Sequence, residues 1–78
     1  MISARQIRAA RALLGWSQQK LADEAIVSAS AVRRLELGVA DSRISTLAAV
    51  QQALEKAGIT FVPTSTAQGE GVRLARPD

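Results

Sequence analysis

Apolar residues recur along this chain at intervals of three and four, in four blocks separated by serines and glycines. That period predicts helices, because 3.6 residues per turn bring such positions onto one face. In "ARQIRAARALL", residues 4–14, Ile7, Ala10 and Leu14 share one side, whereas Arg5, Gln6 and Arg8 lie away from it. Ser3 and Gln6 have the spacing of a capping box, and Gly15 falls where a left-handed C-cap is expected. Ser17 is placed to cap "QQKLADEA", which turns Leu21, Ala22 and Ala25 inward. Ser28 is placed to cap "ASAVRRLEL", with Val32 and Leu35 inward and Gly38 at its end. After the polar loop "VADSR", Ser45 or a near neighbour caps "TLAAVQQALEKA", which buries Leu47, Val50 and Leu54 and stops at Gly58.

Only "IVS" separates the second and third helices, too short a link for a long antiparallel pair. They must cross steeply, as a helix-turn-helix does. The last twenty residues change character. "ITFVP" is β-branched and aromatic, "TSTAQGEG" is polar, and "VRLAR" alternates, which predicts short strands at 59–62 and 72–75. A lone two-stranded hairpin is marginal in water, so these strands either pack on the helices or pair with another copy. A disordered tail from Pro63 onward is the alternative. The expected organisation is a helical domain over 1–58 followed by a β-strand and dimerisation tail over 59–78.

Composition narrows the chemistry. With 78 residues the chain forms one small domain. A 47% hydrophobic fraction suits a helical core, and no apolar run reaches the roughly 18 residues of a membrane span. No secretory leader is apparent in "MISARQIRAAR", so the cytoplasm is the expected location. The chain has no His, Cys or Tyr, which removes the commonest catalytic bases, nucleophiles and transition-metal ligands. Asp23 and Glu24 are adjacent, and neighbours on a helix do not converge on one site. Neither an enzyme nor a cofactor or metal site is expected. The formal charge of +3 is carried mostly by Arg, whose planar fork suits phosphates and guanine edges, although a solvated basic surface gives the same count.

The third helix is where charge and shape combine. Val32, Leu35 and the Ser28 cap share one side of "SASAVRRLEL", while Ser30, Arg33, Arg34 and Leu37 spread over the other. Its outward surface therefore begins small and becomes basic one turn later. A major groove about 12 Å wide admits a helix whose leading end is slim, and an arginine can then contact guanine O6 and N7.

The segment "LLGWSQQKLADEAIVSASAVRRLELG", with Arg11 before it, resembles the Xre family, the Cro and phage-repressor type of helix-turn-helix. The resemblance covers about residues 4–57 and rests on Arg11, "GWSQ", Leu21–Ala22, Val27–Ser28, Val32, and "LE" followed by Gly38. It implies a mainly α fold, a four-helix lambda-repressor-like domain, with a short C-terminal β-hairpin or intermolecular strands added. It further implies base contacts from Ser28, Ala29, Ser30 and Arg34. Backbone contacts would come from Ser17, Gln18, Arg33 and Arg43, and an Arg11–Glu36 ion pair would tie the first helix to the third. Trp16 would serve as an apolar plug, the alternative being a stacking platform for a base. Arg5 and Arg8 either add phosphate contacts or are solvated.

Four features depart from the pattern of similar proteins. Ile26 occupies a turn position where similar proteins have Gly, so either strain is tolerated or the turn is re-routed. Ala29 replaces a polar base reader. The basic loop offers only Arg43, opposed by Asp41, and strands stand in place of a fifth helix.

The expected function is a sequence-specific transcriptional regulator that binds the half-sites of an inverted-repeat operator in double-stranded DNA as a homodimer. Its third helix would enter the major groove, with Phe61, Val62, Val72 and Leu74 at the dimer interface. No segment is left over for a ligand-sensing domain, so its own concentration or a regulatory protein partner would control it. The alternative is a protein-binding module on the same fold, such as an antitoxin or antiactivator. An RNA-binding adaptor is a weaker third reading, because aromatic stacking platforms are lacking.

Overall fold

A computed structural model describes residues 1–39 and 43–75. Serine and glycine punctuation sets three of its four helices. In α1 (Ala4–Leu14) the Ser3 hydroxyl accepts from the Gln6 backbone N–H at 3.1 Å, while Gln6 Oε1 accepts from the Ser3 N–H at 2.9 Å. Ser17 Oγ caps α2 (Gln18–Ala25) by accepting from the Lys20 N–H, and Ser28 Oγ caps α3 (Ala29–Leu37) by accepting from the Ala31 N–H, both at 3.0 Å. Such a cap contributes about 1 kcal/mol by satisfying an N–H that the helix leaves open.

The fourth helix corrects the expected boundary. Helix α4 runs Ile44–Lys56, with Arg43 as an N-cap whose side chain makes no capping hydrogen bond. Ser45 thus lies inside the first turn. Isoleucine and serine both tolerate a helical first turn, and the apolar period that begins at Leu47 gave no sign of the extra residues. The expected opposition of Asp41 to Arg43 lies outside the described residues.

Strands β1 (Ile59–Val62) and β2 (Gly71–Leu74) pair antiparallel within the chain, with Ile59 opposite Leu74 and Val62 opposite Gly71. The second strand starts and ends one residue earlier than its apolar alternation indicates, because Gly71 joins the ladder without a side chain to mark it. The hairpin lies against α1 and α4. Its alternation turns Ile59, Phe61, Val72 and Leu74 toward the helices and leaves Thr60, Val62 and Arg73 outside.

The core joins every helix to the first strand: Ile7 and Ala10 from α1, Leu21 and Ala22 from α2, Val32 and Leu35 from α3, Val50 and Leu54 from α4, and Ile59. Burying a side chain of Leu or Ile size stabilises by about 1.5–3 kcal/mol. Leu14, Ala25 and Leu47, expected inward, are half-buried against this cluster. Gln6 is a second correction. Placed by periodicity on the outer side of α1, it is only 5% exposed, because the hairpin covers that side of the helix.

The link between α2 and α3 resolves the question raised by Ile26. Gly15 and Gly38 end α1 and α3 in the left-handed conformation, and Ile26 ends α2 the same way, at φ 58° and ψ 49°. Among the described residues it is the one non-glycine with positive φ. Its backbone N–H still caps the helix by donating to the Ala22 and Asp23 carbonyls, and its side chain is 91% exposed. The turn is kept at the expense of strain, which for a β-branched residue amounts to about 1–2 kcal/mol. Ile26→Gly removes that strain and gives up no packing. Thermal unfolding followed by circular dichroism should show a melting temperature several degrees higher, since about 1 kcal/mol shifts a domain of this size by about 4–8 °C.

Candidate nucleic-acid interface

The short "IVS" link and three caps hold α3 with Val32 and Leu35 in the core and its opposite side in solvent. Ser28 and Ser30 are exposed at its leading end, and Arg33 and Arg34 are exposed one turn later. Ala29, the third expected base reader at this end, is half-buried and packs against the core. Leu37 ends the helix with 74% of its surface exposed.

Ser17, at the start of α2, is exposed. The four open N–H groups of a helix start, together with its dipole, favour an anion there. The side chain of Gln18 points inward, where its amide Nε2 donates to Glu36 Oε1 at 3.1 Å. Arg43 is exposed where α4 begins.

Beneath this surface lies the ion pair implied by the family resemblance. Arg11 Nε and Nη2 donate to Glu36 Oε2 and Oε1 at 2.8 and 3.0 Å, a two-pronged contact. The Glu36 side chain is 4% exposed and that of Arg11 is 24% exposed. Arg11 Nη1 also donates to the Trp16 carbonyl at 3.0 Å, and Arg8 donates to the Glu36 carbonyl. Burial pushes the Glu36 carboxyl up. The hydrogen bonds from Arg11 and Gln18, with the charges of Arg11 and Arg8, outweigh it and hold the carboxyl below its ordinary value. The same hydrogen bonding to Glu36 raises Arg11 against the opposing effect of burial.

The remaining expected residues divide cleanly. Trp16 is half-buried against the core, with Lys20 Nζ 5.7 Å from its ring centroid. Arg5 pairs with Glu70 at 3.2 Å, so both α1 arginines that were candidates for phosphate contact hold groups of the protein itself. Of the four residues expected at a dimer interface, Phe61, Val72 and Leu74 are half-buried on the chain's own core, and Val62 is 38% exposed. Sequence periodicity missed Gln6 and the inward turn of Gln18. The groups that draw each side chain inward, the Val62 and Gly71 carbonyls for Gln6 and Glu36 for Gln18, are distant in sequence, and nothing local signals them.

No group of three or more His, Cys, Asp or Glu that could hold a metal occurs among the described residues. None of their helices is long and apolar enough to cross a membrane.

A family model described as helix-turn-helix matches residues 7–60, from the first turn of α1 into β1. No curated protein matches the chain.

The geometry at Glu36 sets two expectations for stability. Arg11→Met leaves a buried carboxylate unpaired and should lower unfolding free energy by about 3–5 kcal/mol in urea titrations. Glu36→Gln should cost less, because Arg11 reaches solvent. With the folded-state value of Glu36 depressed, its contribution is complete above the ordinary carboxylate range and is lost as pH falls through the folded value. Stability of the native chain should therefore drop more steeply on acidification than that of Glu36→Gln.

Proposed function

The chain belongs to the Xre/Cro type of the helix-turn-helix family and is a DNA-binding regulator; from that premise we propose that it reads operator half-sites as a homodimer. In this reading α3 enters the major groove leading end first. Ser28 and Ser30 approach base edges, the Ala29 methyl approaches thymine methyls, and Arg34 donates to guanine O6 and N7. Ser17, Gln18, Arg33 and Arg43 hold the backbone, Gln18 through its main-chain N–H at the start of α2.

One observation carries the reading: the exposed side of α3 is slim at Ser28 and Ser30 and cationic at Arg33 and Arg34. A single helix of nine residues spans about 13 Å and touches few base pairs. Tight binding therefore calls for two copies on half-sites about 10–10.5 bp apart. The exposed side of the hairpin, with Val62, and its unpaired strand edges suit a two-fold contact. Phe61, Val72 and Leu74 would then shape that contact from beneath.

A protein-binding role is the second reading, favoured by Ile26 and Leu37, which are 91% and 74% exposed on either side of the reading surface. Binding to the DNA upstream of the chain's own gene, titrated against salt, separates the two. Base reading predicts affinity that falls steeply with salt, by a slope near 0.9 per phosphate neutralised. Arg34→Ala should reduce discrimination against a mismatched site by about 10- to 100-fold, the equivalent of 1–3 kcal/mol. Binding insensitive to salt, or absent, supports the protein-binding role. For the assembly, sedimentation of Val62→Lys should give a monomer where the native chain gives a dimer.

A further inference from the structure

Gln6 and Glu36 are the two buried polar residues of the described structure. Glu36 is accounted for by the ion pair. Gln6 is not needed to hold α1 in the core, which Ile7 and Ala10 do, and a buried amide is unfavourable unless all its groups are bonded. All of them are. Oε1 completes the capping box with the Ser3 N–H, and Nε2 donates twice, to the Val62 carbonyl at 3.1 Å and the Gly71 carbonyl at 2.9 Å. Those carbonyls belong to opposed residues at the loop end of the hairpin, the last of β1 and the first of β2. Beside them Glu70 accepts from the Ser3 hydroxyl and from Arg5 Nε.

The hairpin is therefore fastened at two ends. At one, Gly58 joins it to α4 and Ile59 is buried at 3% exposure. About 13 Å along the strand, at the other, the amide of Gln6 grips both strands. Apolar contacts between Phe61, Val72, Leu74 and the helices hold the hairpin without fixing its direction, because such contacts are non-directional. Two N–H···O bonds from one amide are directional and stop rotation about the Gly58 link.

We propose that Gln6 is the positioning residue that fixes the angle of the hairpin on the helical unit and, through it, the spacing between the two half-sites. The second part rests on the homodimer reading above. If hairpins join two copies, their angle sets where the second α3 falls, and an error of one base pair displaces it by about 3.4 Å and turns it by about 35°.

Gln6→Glu separates the two tasks of this residue. Glu serves equally in a capping box, so α1 keeps its N-terminus, but a carboxylate cannot donate to the two carbonyls. Gln6→Met, of similar length and without charge, removes the donors by a second route. Far-ultraviolet circular dichroism and Trp16 emission establish that the helices of each variant are intact. Hydrogen exchange of the amides in 59–62 and 71–74 should then speed up about tenfold or more in both variants, with core amides of α2 and α4 unchanged. Selection from a pool of random duplex DNA should return inverted repeats of one spacing with the native chain and a spread of spacings with either variant. Unchanged hairpin exchange in both variants overturns the clamp. Faster exchange with a single unchanged spacing overturns its role in aiming the partner. Lone half-sites returned by the native chain sink the homodimer reading and the spacing claim with it, and hydrogen exchange still decides the clamp.

Discussion

The carboxylate of Glu36 is the point on which this small molecule is organised. It sits on α3, receives both prongs of Arg11 from α1 and the amide of Gln18 from α2, and has little water to fall back on. Three of the four helices thus meet at one charged group. A buried pair of this kind adds little over well-packed apolar residues in stability alone, but it is intolerant of misplacement, since a shifted partner leaves a buried charge unpaired. Its directional bonds fix the register of α1 and α2 against α3, which apolar contacts among Ile7, Leu21 and Val32 would leave freer. The guanidinium also takes the Trp16 carbonyl, so the segment leading into α2 is held by the same residue.

This arrangement divides α3 into two halves with different duties. Its inner side carries Val32, Leu35 and Glu36, all buried, and answers to the core and the ion pair. Its outer side carries Ser30, Arg33 and Arg34, which are exposed. The N-terminus of α2 is a compromise, because Gln18 gives its side chain to Glu36 and keeps only its main chain for the surface.

The sequence made the local architecture readable to the residue in places. Ser3, Ser17 and Ser28 each cap the helix their spacing indicates, and α1, α2 and α3 have the expected bounds. The start of α4 was missed by two residues because Arg43 supplies no side-chain cap to announce it. The left-handed Ile26 was visible as a position wanting glycine, although its outcome, strain instead of a new path, depends on the packing of the helices that flank it. Gln6 was misread for a different reason. Helical periodicity reports which side of α1 faces the other helices and says nothing of a hairpin 56 residues downstream that closes over the opposite side. The arginines at 5 and 8 were ambiguous on the same ground, since their partners, Glu70 and the Glu36 carbonyl, come from distant segments.

The strained turn at Ile26 has a consequence for how this chain can change. Its fold holds in reserve a compensating substitution at a site that touches neither the core nor the outer side of α3. New residues on the outer side of α3, like most substitutions, generally destabilise, and a domain of this size has little margin to lose. A lineage that first relaxes the turn gains headroom to explore such replacements, and so to acquire a different target while remaining folded.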